Sequence, residues 1–390
     1  MSRRSAIRNN LCPIRDLALN VEPLRAPTAA ERKTLLRALT NSAIGAGAFL
    51  LTCMGLHAIL PFPAIDDGVS QKLRFFAAHK DEFDTLFIGS SRVYFQISPA
   101  IFDGVMREEG IPTRSFNFGI GGMFLPESAY VLEQLLTTKP RNLRWVFIEY
   151  DELQTKWAFE NQTSRRALYW ADWKRTSLLL RKLTDVGIDA VWLPSLKKLR
   201  DIILCRKGEA NTYKQLIFHT AQFEKNFINV ARGADILDYF WGRDISKWDA
   251  KYLGAAGDGY IPKTGGMSAS QAAAYERALG LAMGTKPPIA FISPYTVEAY
   301  RQCAQKVRAI GAKPILLVMP SATQFNIAYG DNNARPPGVI MAFNNPRAYP
   351  NLYRSSARRD REHLTKSGAE EFTRIMAVNF AQLIQAGEVK

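Results

Sequence analysis

The chain has 390 residues, 47% hydrophobic and 22% charged, enough apolar material to bury a substantial core and too much for a disordered chain. Its formal charge of +15 favours anionic partners, whether an acidic polymer, a phosphate head group or nucleic acid. Four cysteines, Cys12, Cys53, Cys205 and Cys303, and four histidines show neither paired metal-ligand spacing nor a disulfide framework, so no metal and no cofactor is expected.

Residues 1–37 set basic side chains from Arg3 to Arg37 against only Asp16, Glu22 and Glu31, with scattered prolines and no apolar period. They read as a basic, largely unstructured cytoplasmic tail. Residues 38–60 carry no charge at neutral pH. At about 1.5 Å per residue this run is long enough to cross a hydrocarbon core of roughly 30 Å, and Pro61 and Pro63 stop it. Asn41, His57 and the small residues fit a buried soluble helix as the alternative. A cleaved signal peptide fits less well, because no clean small-x-small site follows. The basic flank places the N-terminus in the cytoplasm and residues 65–390 outside a bacterial inner membrane.

Beyond the anchor, "TLFIG" (85–89), "WVFIE" (145–149) and "PILLVMP" (314–320) are short continuous apolar runs, as parallel strands covered on both faces require. Helical patterns over 98–109, 125–138 and 296–310 separate them, the first with Ser98 as N-cap and Pro99 in its first turn. This order predicts an α/β domain over 65–390, a parallel sheet with helices on both faces in three layers. Ligands bind beyond the carboxyl ends of such strands, where Ser90 and Ser91 follow Gly89. The pattern breaks over 151–286, which reads as a helical insertion. Its stretch 165–207 is basic and interleaved with Tyr169, Trp170, Trp173 and Trp192, and residues 176–204 suggest helix, turn, helix. A solvated basic face with aromatics packed inward is the plain reading. A platform for an acidic polymer or a patch on anionic lipid are the sharper ones. "GAAGDGYIPKTGGMSASQAAAY" (254–275) reads as a mobile loop near the site.

Near the C-terminal end, Asp360 stands three residues before His363, followed by Ser367 and Glu370 at capping-box spacing and an apolar helical face from Phe372 to Ile384. A carboxylate three residues away in a turn can reach the imidazole and hold its tautomer, leaving the other nitrogen to take a proton. A serine hydroxyl needs such a base to act as a nucleophile. Arg92 is expected to be solvated or ion-paired rather than a substrate ligand, Asp151 to be structural, and Tyr150 to have no assigned role.

"FIGSSR", "NFGIGG" (117–122) and the terminal "DREH" together resemble the SGNH, or GDSL-like, hydrolase superfamily. The likeness is closest to its membrane-anchored branch linked to acylation of envelope polymers, such as teichoic-acid D-alanylation and alginate O-acetylation proteins. The resemblance covers about half of the chain. It implies Ser91 as nucleophile, His363 as base, Asp360 as its orienting carboxylate, and the amides of Ser91 and Gly122 as oxyanion donors, with Gly121 the neighbouring alternative. Two departures stand out. Ser90 replaces the family's aspartate, and "YDEL" after the strand 145–149 lacks the asparagine that supplies another oxyanion donor. Losing one such donor costs about 3–4 kcal/mol, a factor of roughly 10² to 10³ in rate. The implied function is acyl transfer or ester hydrolysis on small acyl groups, acetyl foremost, of an extracytoplasmic polysaccharide. The implied partners are an acyl donor and a membrane-bound acyl exporter, with no nucleic acid. A water-using esterase, a non-catalytic glycan scaffold and a cytoplasmic nucleic-acid binder are the alternatives.

Overall fold

The computed structural model describes residues 28–59, 68–156, 166–187, 195–228, 241, 250–284, 290–323, 327–328 and 336–389. The tail over 1–27, the prolines at 61 and 63, and Trp192 lie outside them. In chain order the first elements are α1 (Ala29–Ile59), α2 (Gly68–His79), β1 (Thr85–Gly89), α3 (Ser91–Gln96), α4 (Pro99–Glu108), β2 (Ser115–Gly119), α5 (Glu127–Thr137) and β3 (Trp145–Glu149). The short helix α6 (Arg166–Tyr169), α7 (Trp173–Thr184), α8 (Leu196–Ile203), α9 (Ala210–Ile228) and α10 (Ala269–Gly284) follow. Last come β4 (Ala290–Phe291), α11 (Pro294–Ala309), β5 (Lys313–Val318), β6 (Ile327–Ala328), β7 (Val339–Ala342) and α12 (Lys366–Gln385). The chain divides into two compact units, a helical one from 1–63 with 167–241 and an α/β one from 64–166 with 242–390.

In the α/β unit, β2-β1-β3-β5-β7 form a five-stranded sheet with every pairing parallel. A separate parallel ladder joins β4 to β6. The three apolar runs are strands at the expected positions because both faces are covered. Phe87, Phe147, Ile315 and Leu317 enter a core with Phe102, Phe372 and Phe380, while Leu86, Ile88, Val146, Ile148 and Leu316 are also buried. Helices α3, α4 and α12 pack together on one side and α2, α5 and α11 on the other. Phe380 meets Trp145 and Phe147 edge-on at 5.4 and 4.7 Å; truncating a core ring of this kind to alanine costs about 3–5 kcal/mol. The chain steps from β1 to β2 on one side and then back across β1 to β3. Such a reversal opens a crevice at the carboxyl ends of β1 and β3.

Several expectations are corrected. Helix α12 is capped by Thr365, whose side chain accepts from the Gly368 amide, not by Ser367. A glutamate at its N3 position is sterically barred, because a Cβ on Gly368 would run into the Ala357 carbonyl. The segment 254–275 is not one loop. Its first part is tied to β2 through the Asn117 amide, which donates to the Asp258 carbonyl at 2.8 Å, and α10 begins at Ala269.

In the helical unit, α1 starts nine residues before the uncharged run, so Arg32, Lys33 and Arg37 are helical rather than part of a tail. A reciprocal cap explains this: the Thr28 amide donates to Glu31 Oε2 at 2.6 Å, and the Glu31 amide to Thr28 Oγ1 at 3.3 Å. Helix α1 is long and apolar enough to cross a membrane. Among its described side chains only Cys53 is buried, its thiol 3.1 Å from the Ile228 carbonyl on α9. Helices α7 and α8 both pack on α9, and Asp172 caps α7 by accepting from the Arg175 amide. Cys53, Cys205 and Cys303 are free thiols.

Candidate active site

The two serines that end β1 do different work. Ser90 is the N-cap of α3: its hydroxyl accepts from the Arg92 amide at 3.2 Å and donates to Glu149 Oε1 at 3.0 Å. Its own amide donates to Glu149 Oε2. Ser90 is thereby buried and consumed by structure, while Ser91, the first residue of α3, is half-buried and keeps its hydroxyl for a partner outside the helix turn. Glycine is required at Gly89 and Gly119, where a Cβ would strike Glu149 and the Tyr94 backbone respectively. The absence of both side chains lets α3 begin directly on the strand ends.

Ser91 Oγ lies 2.8 Å from His363 Nε2. On the other edge of the ring, His363 Nδ1 lies 2.9 Å from Asp360 Oδ2 and 3.1 Å from Oδ1. An ionised carboxylate only accepts, so Nδ1 carries the proton and Nε2 presents a lone pair to the Ser91 hydroxyl. Burial opposes ionisation of Asp360, but the His363 hydrogen bond and the Glu362 and His363 amides outweigh it and lower its carboxyl to about 2. Ser91 and the local pair Asp360 and His363, more than 250 residues away in sequence, thus form one hydrogen-bonded line.

The loop carrying Asp360 and His363 is held from two sides. Arg358 is fully buried beneath it and donates to the carbonyls of Arg361 at 2.7 Å, Leu352 at 2.9 Å and Pro320 at 3.0 Å. From α3, Gln96 Nε2 donates to the Glu362 carbonyl at 2.9 Å, and Arg92 Nη1 to the Glu362 carboxylate at 3.3 Å. Ser321 donates to that carboxylate at 2.8 Å, and Thr323 also binds it. The same Arg92 guanidinium reaches the end of β3, with Nε 2.6 Å from Glu149 and Nη2 on Asp151. Burial alone would favour its neutral form, but Glu149, Asp151 and Glu362 outweigh that and hold its pKa well above the ordinary arginine value. Arg92 is therefore ion-paired and not solvated, and Asp151 is one of its carboxylate partners. Tyr300 closes the β3 exit, its hydroxyl donating to the Glu149 carbonyl at 2.7 Å and accepting from the Asp151 amide at 3.0 Å.

Of the groups that the resemblance implies as oxyanion donors, the Ser91 amide has no hydrogen-bond partner among the described residues. Gly122 lies in the turn after β2 at φ 68°. Gly121 is exposed, and its carbonyl accepts from Arg166 at 3.2 Å. The end of β3 offers carboxylates where a further donor would stand, and a carboxylate cannot donate when ionised. The nearby Asn117 is no substitute: its amide nitrogen donates to Val93 and Ile97 carbonyls at 2.8 and 2.7 Å, and its oxygen accepts from the Gly119 amide. Beneath this corner the buried Lys72 ammonium donates to the carbonyls of Asn117, Gly119 and Gly259 at 2.9, 2.9 and 2.7 Å. Burial pushes its pKa well down, against the pull of Asp258. Beside the imidazole, the Phe95 ring stands 6.1 Å away with the Lys263 ammonium 4.1 Å above its centre.

Sequence reasoning missed Gln96, Asn117, Glu149, Arg358, Glu362 and Lys72. A charged residue closing a wholly apolar strand, as Glu149 closes "WVFIE", is the signal that could have exposed the network, because so buried a carboxylate requires a cation. No protein-family model matches the chain, and no curated protein or solved structure does.

Proposed function

We propose that the protein is a membrane-anchored serine acyltransferase or esterase of the SGNH type. The observation that carries this reading is the line from Ser91 Oγ through His363 to Asp360, with contacts of 2.8 and 2.9 Å. His363 Nε2 takes the Ser91 proton as Oγ attacks an acyl carbonyl. The oxyanion forms against the Ser91 amide, and the family resemblance assigns the second donor to Gly122. Collapse of the tetrahedral species expels the donor's leaving group, which takes the proton back from His363. An acceptor hydroxyl, or water, then releases the acyl group from Ser91 by the same steps in reverse. Acetyl is the favoured group and an extracytoplasmic polysaccharide the favoured acceptor. A membrane-bound exporter is the fitting acyl source, since acyl-CoA is confined to the cytoplasm. Helix α1 serves as the inner-membrane anchor, with its basic end cytoplasmic.

A fluorophosphonate probe tests the reading on the full chain. Labelling is expected in wild type and in Ser90→Ala, and is lost in Ser91→Ala and His363→Ala. A folded wild type that takes no label would overturn it. The acidic end of β3 favours a second reading, a glycan-binding scaffold without turnover, because it supplies no further oxyanion donor. In that case Ser91→Ala would leave polymer assembly in cells intact.

A further inference from the structure

Outside α1, the large apolar side chains left exposed among the described residues are Trp173, Leu196, Ile203, Ile217, Trp241 and Leu281, and all but Leu281 belong to the helical unit. On α8 the exposed face runs Leu196, Arg200, Ile203, at i, i+4 and i+7, with Lys197 beside it, while the opposite face buries Asp201 and Ile202. Leu196 is 84% exposed, a position that water does not reward. A helix whose outer face alternates aliphatic and basic side chains suits a lipid surface, where the first enter the acyl boundary and the second meet phosphate.

The rest of the unit repeats the chemistry. On α9, Lys214 precedes the exposed Ile217 by one turn. On α7, Trp173 is half exposed, its ring 5.3 Å from Phe223, which stacks on Phe227 at 5.7 Å; aromatics of this kind sit at membrane interfaces. Lys198 is neutralised by Glu209 at 2.6 Å, but Lys197, Arg206, Lys214 and Lys225 have no carboxylate partner among the described residues. The contact between Cys53 and Ile228 fixes the level. Cys53 lies six residues before the end of α1, about 9 Å along the helix axis. The end of α9 thus meets α1 within its apolar run, not beyond it.

We infer that helices α7, α8 and α9 form a collar seated on anionic lipid around the exit of α1, with the α8 face as its main contact. The inference rests on the reading of α1 as a membrane span.

The test places dansylalanine at position 196 of the full chain, reconstituted in phosphatidylcholine vesicles with or without about a quarter phosphatidylglycerol, each doped with a nitroxide lipid. Blue-shifted, quenched emission is expected in the anionic vesicles. Lys197→Gln and Arg206→Gln should each weaken binding of the face about fivefold, while Lys197→Arg should not. A protein that resists alkaline extraction yet emits as in water in both vesicles would overturn the collar while leaving the anchor standing. Equal quenching with and without phosphatidylglycerol would overturn the anionic contact. Release by alkali would overturn the anchor and the collar with it.

Discussion

Ser90 and Ser91 are the same residue type one position apart, and the backbone alone gives them opposite fates. Ser90→Ala should cost about 0.5–2 kcal/mol in an unfolding curve, as the loss of a helix cap does, and leave the Ser91 hydroxyl reactive. Asp360 gives a pH signature with a defined sign. Its folded carboxyl titrates at about 2, below the roughly 3.9 of an unfolded aspartate, so its contribution is complete above pH 4 and fades as pH falls towards 2. The difference in unfolding midpoint between wild type and Asp360→Asn should therefore be present at pH 5 and shrink steadily as pH falls from 4 towards 2. It should also be small, because Asp360 is exposed and water screens the pair. Arg92 behaves otherwise. Arg92→Met strands the buried Glu149 and Asp151 and should destabilise by about 3–5 kcal/mol. Arg92→Lys keeps the charge, but one ammonium cannot span three carboxylates; it should fold and label at Ser91 up to about 100-fold more slowly, since the loop holding His363 loses its grip.

Among the elements, β1, β3 and β5 and the helices α4, α5 and α11 were legible, because a buried parallel strand needs a continuous apolar run and a surface helix needs its 3.6 period. Strand β2 was not: "SFNFG" centres on Asn117, and only the closed hydrogen bonding of that side chain makes a polar residue tolerable there. The start of α1 was written in the sequence as Thr28-x-x-Glu31 and overlooked beside the louder basic charge. The start of α12 was misplaced because Ser367 and Glu370 have cap spacing, while the Gly368 that the fold needs at N3 answers to a contact with Ala357. In the site, the Asp360–His363 spacing is local and readable; its partners on α3 are more than 250 residues away in sequence, and no local pattern encodes them. The packing of α3 on β2 is tested by Gly119→Ala. A methyl there collides with the Tyr94 backbone, so the variant should lose roughly 1–3 kcal/mol and its fluorophosphonate reactivity, both read on one thermal series of labelling.

For the whole molecule, the division into two units cuts across chain order, since α1 belongs with helices more than 100 residues downstream. Removing residues 28–59 should therefore speed amide exchange in α9, which loses the Cys53 contact, while β1 and β3 keep their protection; hydrogen exchange on the two forms decides it. The same interleaving orders events in time. Ser91, the nucleophile of the proposed function, precedes the 167–241 segment, and His363, its proposed base, follows it. During synthesis, a chain that has emerged through β5 holds a finished serine turn and no imidazole to deprotonate it. On the proposed reading the nascent protein should stay chemically silent until the residues from Arg358 onward close beneath α3, so labelling at Ser91 would itself report that the last segment has docked.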